Sequence, residues 1–225
     1  FDTLLALPFN YRKVAEGGGV PVLFGFIFGV LVYIAIKTFR LHTEANIIGT
    51  FSLLSSVLII SFIGVVDDLL GWKIGLTKKT RIFFLIFAAV PLMVINAGSS
   101  VIMGINFGIL YPLFLIPLGV VGVSATYNFL AGYNGLEAGQ GIIILSALAF
   151  VNWTFGNGWL TVISLCMVAS LVAFYMFNKY PAKIFPGNVL TYSIGALIAA
   201  NAILGNIEKI AFFFFIPYII EVILK

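Results

Sequence analysis

The 225-residue chain is 62% hydrophobic and 9% charged, its formal net charge is +4, and its mean hydropathy is +1.17. Soluble domains average about 45–50% apolar and about 25% charged residues, so this composition excludes a soluble globular domain, a disordered chain, a coiled coil and a disulfide scaffold. We predict an all-α protein, a bundle of helices that cross a lipid bilayer several times.

Eight apolar runs follow one another along the chain, separated by short polar or glycine-rich segments. A helix needs about 20 residues to cross the hydrocarbon core of a bilayer, whereas a transmembrane strand would alternate apolar and polar residues over about ten positions. The runs therefore predict eight transmembrane helices. They cover residues 20–38, 47–66, 82–95, 109–130, 141–155, 160–177, 189–204 and 210–224.

The basic residues are distributed unevenly between the two sides of these spans. Eight crossings place both termini and the segments near 67–81, 131–140 and 178–188 on one side, which carries nine of the twelve lysines and arginines. Because cytoplasmic loops of membrane proteins are enriched in Lys and Arg, that side is predicted to be cytoplasmic.

Polar residues beyond the span flanks lie mostly on this same side, in four separate segments. They are Glu-Gly-Gly-Gly at 16–19, an Asp pair at 67–68, an Asn- and Gly-rich stretch at 128–137 and Phe-Pro-Gly-Asn at 185–188. A pore or transporter would place polar side chains at mid-depth in several helices. The distribution therefore favours a site at the membrane interface.

Asp67 and Asp68 end an otherwise apolar span. Two adjacent carboxylates repel each other at a low-dielectric interface unless a cation lies beside them, and oxygen ligands of this kind suit Mg²⁺ shared with substrate phosphates. The alternative is a pair of acids that marks the water boundary and forms ion pairs with Lys73 or Lys78.

The basic residues that follow the Asp pair, among them Lys78, Lys79 and Arg81, allow two interpretations. They could neutralise a diphosphate, with lysine as a point charge and arginine as a fork. Such a cluster could instead set the orientation of the protein and contact anionic lipid head groups.

Asn128 and Asn134 flank a Leu-Ala-Gly-Tyr segment, with Glu137 following. An asparagine supplies a carbonyl acceptor for a metal and an amide donor for a carbonyl or phosphate, although Asn/Gly turns also end many helices. Phe185 could stack on a planar base, and Asn188 could begin a helix whose N–H groups face an anion or could be a plain helix start.

Three motifs carry a family resemblance in their order and spacing. They are Gly-Val-Val-Asp-Asp at 64–68, Asn-Phe-Leu-Ala-Gly-Tyr-Asn-Gly-Leu-Glu-Ala-Gly-Gln at 128–140 and Ile-Phe-Pro-Gly-Asn at 184–188. Together they resemble the polyprenyl-phosphate N-acetylhexosamine-1-phosphate transferase family, and most closely its archaeal and eukaryotic UDP-GlcNAc–dolichyl-phosphate GlcNAc-1-phosphotransferases.

The resemblance covers nearly the whole chain and implies an organisation. The eight spans would correspond to the second through ninth of the family's ten helices. Residues 1–225 would then form a single transmembrane transferase domain without the first helix, the C-terminal cytoplasmic loop and the last helix.

The resemblance also implies an activity. The family transfers GlcNAc-1-phosphate from UDP-GlcNAc to a polyprenyl (dolichyl) phosphate at the cytoplasmic face, releasing UMP and starting a lipid-linked oligosaccharide for N-glycosylation. It implies Mg²⁺ as cofactor, UDP-GlcNAc and dolichyl phosphate as substrates, no nucleic acid, a possible homodimer, and location in an archaeal plasma membrane or the endoplasmic reticulum membrane.

Roles for individual residues follow from the same resemblance. The implied catalytic residues are Asp67 and Asp68, the implied metal ligands are Asn128 and Asn188, and the implied substrate-binding residues are Glu16, Lys78, Lys79, Arg81, Asn134, Glu137 and Phe185. The family usually has Asp where this chain has Asn188, so a neutral amide replaces a carboxylate there.

Two alternative functions remain open at this stage. One is a bacterial-type transferase that uses undecaprenyl phosphate with a GlcNAc or muramoyl-peptide donor. The other is a non-catalytic membrane scaffold or transporter of the same fold.

Overall fold

Helices dominate the computed structural model, which describes residues 14–43, 46–96, 101–102 and 104–224. The described residues also contain two short strand pairs and two π-helical turns. The helices are α1 (Gly19–Ala35), α2 (Ile47–Ile74), α3 (Lys78–Ala88), α4 (Val90–Ile95), α5 (Ile116–Phe129), α6 (Leu136–Thr154), α7 (Gly158–Asn178), α8 (Gly187–Gly205) and α9 (Glu208–Leu224), the strands are β1 (Ala15–Glu16), β2 (Val101–Ile102), β3 (Ile105–Asn106) and β4 (Ile184–Phe185), and the π-helical turns are Ile36–Arg40 and Tyr111–Leu115.

Six helical segments within the described residues are long and apolar enough to cross a membrane by length and composition. They confirm the predicted polytopic helical membrane protein and match the first, second, fourth, fifth, sixth and seventh predicted spans. The segments are Gly19–Arg40, Ile47–Gly71, Tyr111–Phe129, Leu136–Thr154, Gly158–Asn178 and Gly187–Gly205.

The helices of the two remaining predicted spans are shorter than the roughly 20 residues that a membrane-crossing helix needs. The third is divided into α3 and α4 at Ala89, and Pro91 stands in the first turn of α4. A proline lacks the backbone N–H that would continue α3 and is well tolerated in a first helical turn, which accounts for the break. The eighth is α9, which has 17 residues and contains Pro217.

The α8 helix lies at the centre of the bundle, packed between α2 and α5 and in contact with α1, α6, α7 and α9. In the membrane-crossing stretch of α8, 83% is buried inside the protein, against 22–56% in the other five segments. Its middle is rich in Gly and Ala, and a Cβ on Gly195 would lie 2.6 Å from the Ser124 Cα. Small residues of this kind let membrane helices approach closely, which is how α5 and α8 pack here.

Buried amides connect α8 to two other helices. The Oδ1 atom of Asn201 accepts hydrogen bonds from the hydroxyl of Ser164 in α7 at 2.9 Å and from the amide of Asn152 in α6 at 3.3 Å. All three residues are fully buried. Hydrogen bonds between helices stabilise a bundle that lacks a strong hydrophobic driving force within lipid.

A parallel strand pair joins the segment before α1 to the segment before α8. Ala15 of β1 pairs with Ile184 of β4, and Glu16 pairs with Phe185. The carbonyl of Phe185 also accepts hydrogen bonds from the backbone N–H groups of Gly17 and Gly18. The starts of α1 and α8 are therefore held side by side.

Replacement of Gly195 with alanine is expected to lower the stability of the bundle by about 1–3 kcal/mol, because the added Cβ would push α8 away from the α5 backbone. Gly119→Ala is a matched control, since a Cβ at Gly119 in α5 meets nothing within 4 Å. Thermal unfolding in detergent should give a lower midpoint for Gly195→Ala than for Gly119→Ala. Equal midpoints would contradict the close approach of α5 and α8.

Candidate active site

Four helix ends meet at one end of the bundle. They are the C-terminal turns of α2 and α5 and the N-terminal turns of α3 and α8, as the hydrogen bonds between them establish. The structure thus brings together the Asp pair, Arg81, Asn128 and Asn188, which the sequence places in separate segments.

Asp68 fixes the start of α8. Its Oδ1 accepts a hydrogen bond from the backbone N–H of Asn188 at 3.0 Å, and its Oδ2 accepts one from the N–H of Val189 at 3.3 Å. The first N–H groups of a helix have no partner within the helix, and a carboxylate from outside satisfies them. Gly187 has φ +71°, and a Cβ there would lie 2.5 Å from Asp68 Oδ2, so both the conformation and the space require glycine.

Asp67 is buried and bound on both carboxylate oxygens. Its Oδ2 accepts from Arg81 Nη2 at 2.7 Å and from Asn188 Nδ2 at 3.0 Å, and its Oδ1 accepts from the backbone N–H of Leu76 at 3.0 Å. Gly71 breaks the α2 helix with φ +66°, so the chain can turn back and bring Leu76 to Asp67. Among the side chains that the structure describes, the cation paired with Asp67 is thus Arg81.

An amide at position 188 suits its place beside Asp67. Asn188 Nδ2 donates to Asp67 Oδ2, and an ionised aspartate in its place could not donate. Two like charges would then face each other, beside the negative charge of Asp68.

Asn128 at the end of α5 is held by two consecutive residues of α8. Its Oδ1 accepts a hydrogen bond from the Thr191 hydroxyl at 2.8 Å, and its Nδ2 donates to the Tyr192 hydroxyl at 3.3 Å. The Thr191 hydroxyl also lies 3.2 Å from the carbonyl oxygen of Asn188. The guanidinium of Arg81 lies over the Tyr192 ring, 5.9 Å from its centroid.

These contacts close a circuit through α2, α3, α5 and α8, which we call the contact ring. In order, it connects Arg81, Asp67, Asn188, Thr191, Asn128 and Tyr192, and then returns to Arg81.

A second group of contacts joins the α5–α6 segment to the α7–α8 segment. The exposed Asn134 accepts a hydrogen bond from the backbone N–H of Ala182 at 3.2 Å. Asn178, which is fully buried, accepts from the N–H of Gly135 at 3.1 Å and donates to the carbonyl of Ile184 at 2.9 Å. The segment that carries Asn134 is therefore tied to the strand that carries the half-buried Phe185.

Glu137 contacts the protein rather than solvent. It is 2% exposed, and its Oε1 accepts a hydrogen bond from the N–H of Gly132 at 2.5 Å. Its Oε2 has no hydrogen-bond partner within the described part of the chain. The carboxylate thus supports the turn between α5 and α6 that leads to Asn134.

Glu16 is an exposed residue of β1 and lies beside Phe185. Partial removal from water raises the pKa of the Glu16 carboxyl, and the negative charge of Asp68 raises it further. A cation that bound between these carboxylates would relieve this repulsion.

The three basic candidates in α3 differ in their surroundings. Arg81 belongs to the contact ring, whereas Lys79 is exposed and forms no hydrogen bond or ion pair with any residue that the structure describes. The side chains of Lys73 and Lys78 lie outside the described part of the structure.

The side-chain oxygen atoms of Asp67, Asp68, Asn128 and Asn188 fit a magnesium ion by their chemistry. They come from two carboxylates and two side-chain amides, which are ligand types that Mg²⁺ accepts. Within the described ranges, no group of three or more His, Cys, Asp and Glu side chains could hold a metal. Mg²⁺ usually keeps several waters and binds substrate phosphates, so it does not require a complete protein cage.

Thr191, Tyr192 and Asn178 were not among the residues singled out from the sequence. The signal for the first two is their position three and four residues after Asn188, which places all three on one helix face. Asn178 has no comparable signal, because a single Asn at a helix end is common.

Comparisons with known proteins identify relatives. The family model described as glycosyl transferase family 4 matches residues 50–206, which include the whole contact ring. A Saccharolobus solfataricus protein, provisionally named as a UDP-N-acetylglucosamine–dolichyl-phosphate N-acetylglucosaminephosphotransferase, is 41% identical over 92% of this chain and 64% of its own length. A Dictyostelium discoideum protein with that activity in its name is 26% identical over 95% of this chain and 60% of its own length.

Bacterial proteins are also similar to this chain. A Streptococcus agalactiae protein named phospho-N-acetylmuramoyl-pentapeptide-transferase is 30% identical over 90% of this chain and 65% of its own length. The chain thus spans 60–65% of the length of these three relatives.

Removal of Arg81 is expected to destabilise the protein more than removal of a neighbouring lysine. Arg81→Met would leave the buried carboxylate of Asp67 without the cation it contacts. Because the Arg81 side chain is 30% exposed, the loss should not exceed about 3 kcal/mol, which is the cost of breaking a fully buried ion pair from one side. Lys79→Met, which removes an exposed charge from the same helix, should change stability by less than about 0.5 kcal/mol.

The double variant Asp67→Asn with Arg81→Met tests the cause. Because it removes both charges, it should be more stable than Arg81→Met alone in the same denaturation measurement. A double variant that loses the full sum of the two single effects would contradict the ion pair as the source of stability.

Proposed function

The chain belongs to glycosyl transferase family 4, and on that basis we propose that it transfers N-acetylglucosamine-1-phosphate from UDP-GlcNAc to a polyprenyl phosphate such as dolichyl phosphate, with release of UMP. The product would be the first intermediate of a lipid-linked oligosaccharide for N-glycosylation. The observation that carries the proposal is the contact ring together with the adjacent Asp68, which gathers a cation, two carboxylates and two amides at one end of a membrane bundle.

The position of the contact ring suits the two proposed substrates. A polyprenyl phosphate keeps its chain in the bilayer while its phosphate reaches the interface, and a nucleotide sugar arrives from water. A site at the ends of membrane-crossing helices is accessible to both, whereas a site at mid-depth would require a charged donor to enter the hydrocarbon layer.

In the proposed reaction, an oxygen of the acceptor phosphate attacks the β-phosphorus of UDP-GlcNAc. The bond between that phosphorus and the bridging oxygen breaks, and UMP leaves with the bridging oxygen. Catalysis of phosphoryl transfer depends chiefly on positioning and on stabilising negative charge. Arg81 supplies a positive charge held at a fixed place by Asp67.

Asp67 and Asp68 are proposed to act at the acceptor phosphate or with the metal. Both carboxylates already accept hydrogen bonds, but each oxygen has more than one lone pair and keeps further acceptor capacity. We propose that Asn128 and Asn188 hold Mg²⁺ together with these carboxylates. When bound, Mg²⁺ neutralises negative charge on the diphosphate.

The second group of contacts would bind the nucleotide. The ring of Phe185 offers an apolar face for a uracil base, and the exposed amide of Asn134 has both a donor and an acceptor for its edge. Glu16 lies beside Phe185 through the β1–β4 pair, and Glu137 supports the turn before Asn134.

The bacterial relatives support a second candidate function within the same reaction class. A protein named phospho-N-acetylmuramoyl-pentapeptide-transferase is 30% identical over 90% of this chain. The alternative donor is therefore a UDP-linked muramoyl pentapeptide, with undecaprenyl phosphate as acceptor.

We also propose that the site faces the cytoplasm, in the plasma membrane of an archaeon or in the endoplasmic reticulum. Loops and helix starts at the site end carry Lys79, Arg81, Lys179 and Lys183, and the opposite end carries Lys37, Arg40 and Lys209. Arg12, Lys13 and Lys225, which the sequence also places on the predicted cytoplasmic side, lie outside the described residues.

Purified protein is expected to release UMP when given UDP-GlcNAc, dolichyl phosphate and Mg²⁺, and to stop when the metal is chelated. Asn128→Ala should lower the rate by about 100-fold or more, because it removes an oriented polar group from the reacting centre. Asn157→Ala is the matched control, since its amide bonds the carbonyl of Gly205 at the opposite end of the bundle.

The same UMP assay separates the two candidate donors. Faster turnover with the muramoyl-pentapeptide donor and undecaprenyl phosphate would replace the first candidate by the second. No UMP from either pair, with folded protein, would reject a transferase function.

Cysteine labelling tests the proposed orientation. In a background with the single cysteine Cys166 replaced by alanine, Lys183→Cys and Lys209→Cys place one thiol at each end of the bundle, both at exposed positions. A membrane-impermeant maleimide should label the Lys209→Cys protein in intact cells and the Lys183→Cys protein only after permeabilisation. The reverse pattern would place the site on the outer face.

A further inference from the structure

We infer that Thr191 and Tyr192 are positioning residues, which set the amide of Asn128 and the guanidinium of Arg81 relative to each other. The inference rests on the proposed function, since it gives these two side chains a role in that reaction. Both residues are 1% exposed and lie in α8, outside the three motifs that carry the family resemblance.

Thr191 and Tyr192 hold the two ends of the Asn128 amide. The Thr191 hydroxyl donates to Asn128 Oδ1 at 2.8 Å, while Asn128 Nδ2 donates to the Tyr192 hydroxyl at 3.3 Å. Each hydroxyl can donate or accept, so the two together hold both ends of the Asn128 amide in one place. In the arrangement seen here, Oδ1 accepts from Thr191 and retains a second lone pair for a ligand.

Tyr192 links this amide to the cation. Its hydroxyl bonds Asn128, and its ring lies 5.9 Å from the guanidinium carbon of Arg81. A cation over an aromatic face is attracted to it, and the attraction strengthens where water is excluded. One side chain therefore contacts both the proposed metal ligand and the proposed diphosphate-binding cation.

The α8 helix makes this positioning rigid. Asp68 holds the first turn of α8, and Asn188, Thr191 and Tyr192 share one face of it. A Cβ on Gly64 of α2 would lie 2.8 Å from the Val189 Cα, so α2 also packs tightly against this turn. Because these contacts do not involve Thr191 or Tyr192, removal of either hydroxyl should leave the start of α8 in place.

The experiment compares three variants with a control. Thr191→Val removes the hydroxyl, Thr191→Ser retains it, and Tyr192→Phe removes the phenolic hydroxyl while keeping the ring over Arg81. Ser193→Ala is the control, because Ser193 is equally buried and adjacent but bonds Ser61 and Val189, away from Asn128.

The first readout needs no turnover. Mn²⁺ binding to purified protein with UDP present, followed by electron paramagnetic resonance, should be weaker by about 10–100-fold in Thr191→Val and about tenfold in Tyr192→Phe, as is typical when a group that orients a metal ligand is lost. Thr191→Ser and Ser193→Ala should stay close to the parent protein. The Mg²⁺ concentration that gives half-maximal UMP release should rise in the same order.

Several results would overturn the inference. They are parent-like Mn²⁺ affinity in both Thr191→Val and Tyr192→Phe, a Thr191→Ser protein as impaired as Thr191→Val, or a parent protein that binds no Mn²⁺. If Thr191→Val fails to fold, Tyr192→Phe decides alone. If the parent protein has no transferase activity, but Mn²⁺ binding is still weaker in Thr191→Val and Tyr192→Phe than in the parent, the proposed function is rejected and the positioning role is supported.

Discussion

The adjacent carboxylates of Asp67 and Asp68 hold together the end of the bundle that carries the contact ring. Withdrawing a carboxylate from water is costly unless it is paired and hydrogen-bonded, so the buried Asp67 and the half-buried Asp68 both need partners on neighbouring elements. Asp68 takes the first N–H groups of α8, and Asp67 takes Arg81 of α3 and the amide of Asn188. The site and the junction of three helices are therefore the same structure.

The α8 helix serves both the packing and the proposed chemistry. The side chains in its middle are small and buried, which allows α5 to approach closely at Gly195. Its first turns carry the polar side chains that contact Asn128. In a membrane, where lipid is as apolar as the side chains, such close packing and hydrogen bonds between helices give the bundle its geometry. The same rigidity that stabilises α8 also orders the contact ring.

The spans and the polar segments could be predicted because hydrophobicity and turn residues are local properties. The pairing of Asp67 with Arg81 could not be predicted, because it depends on the chain turning back at Gly71. The alternative partners that the sequence suggested, Lys73 and Lys78, have side chains outside the described structure. The third span is predicted as one helix, but the structure divides it near Pro91. Proline lacks the backbone N–H that would continue the first helix, and hydropathy alone does not register this loss.

The sequence by itself determined that the chain is a membrane bundle with carboxylates, amides and cations gathered at one face, since composition and run length decide what can cross a bilayer. The tertiary structure alone decided which of these groups touch. Asn128 meets Thr191 and Tyr192 across more than sixty residues of chain, and such contacts depend on how whole helices pack. Ordinary residues such as Thr191 therefore acquire a role that their local sequence does not reveal.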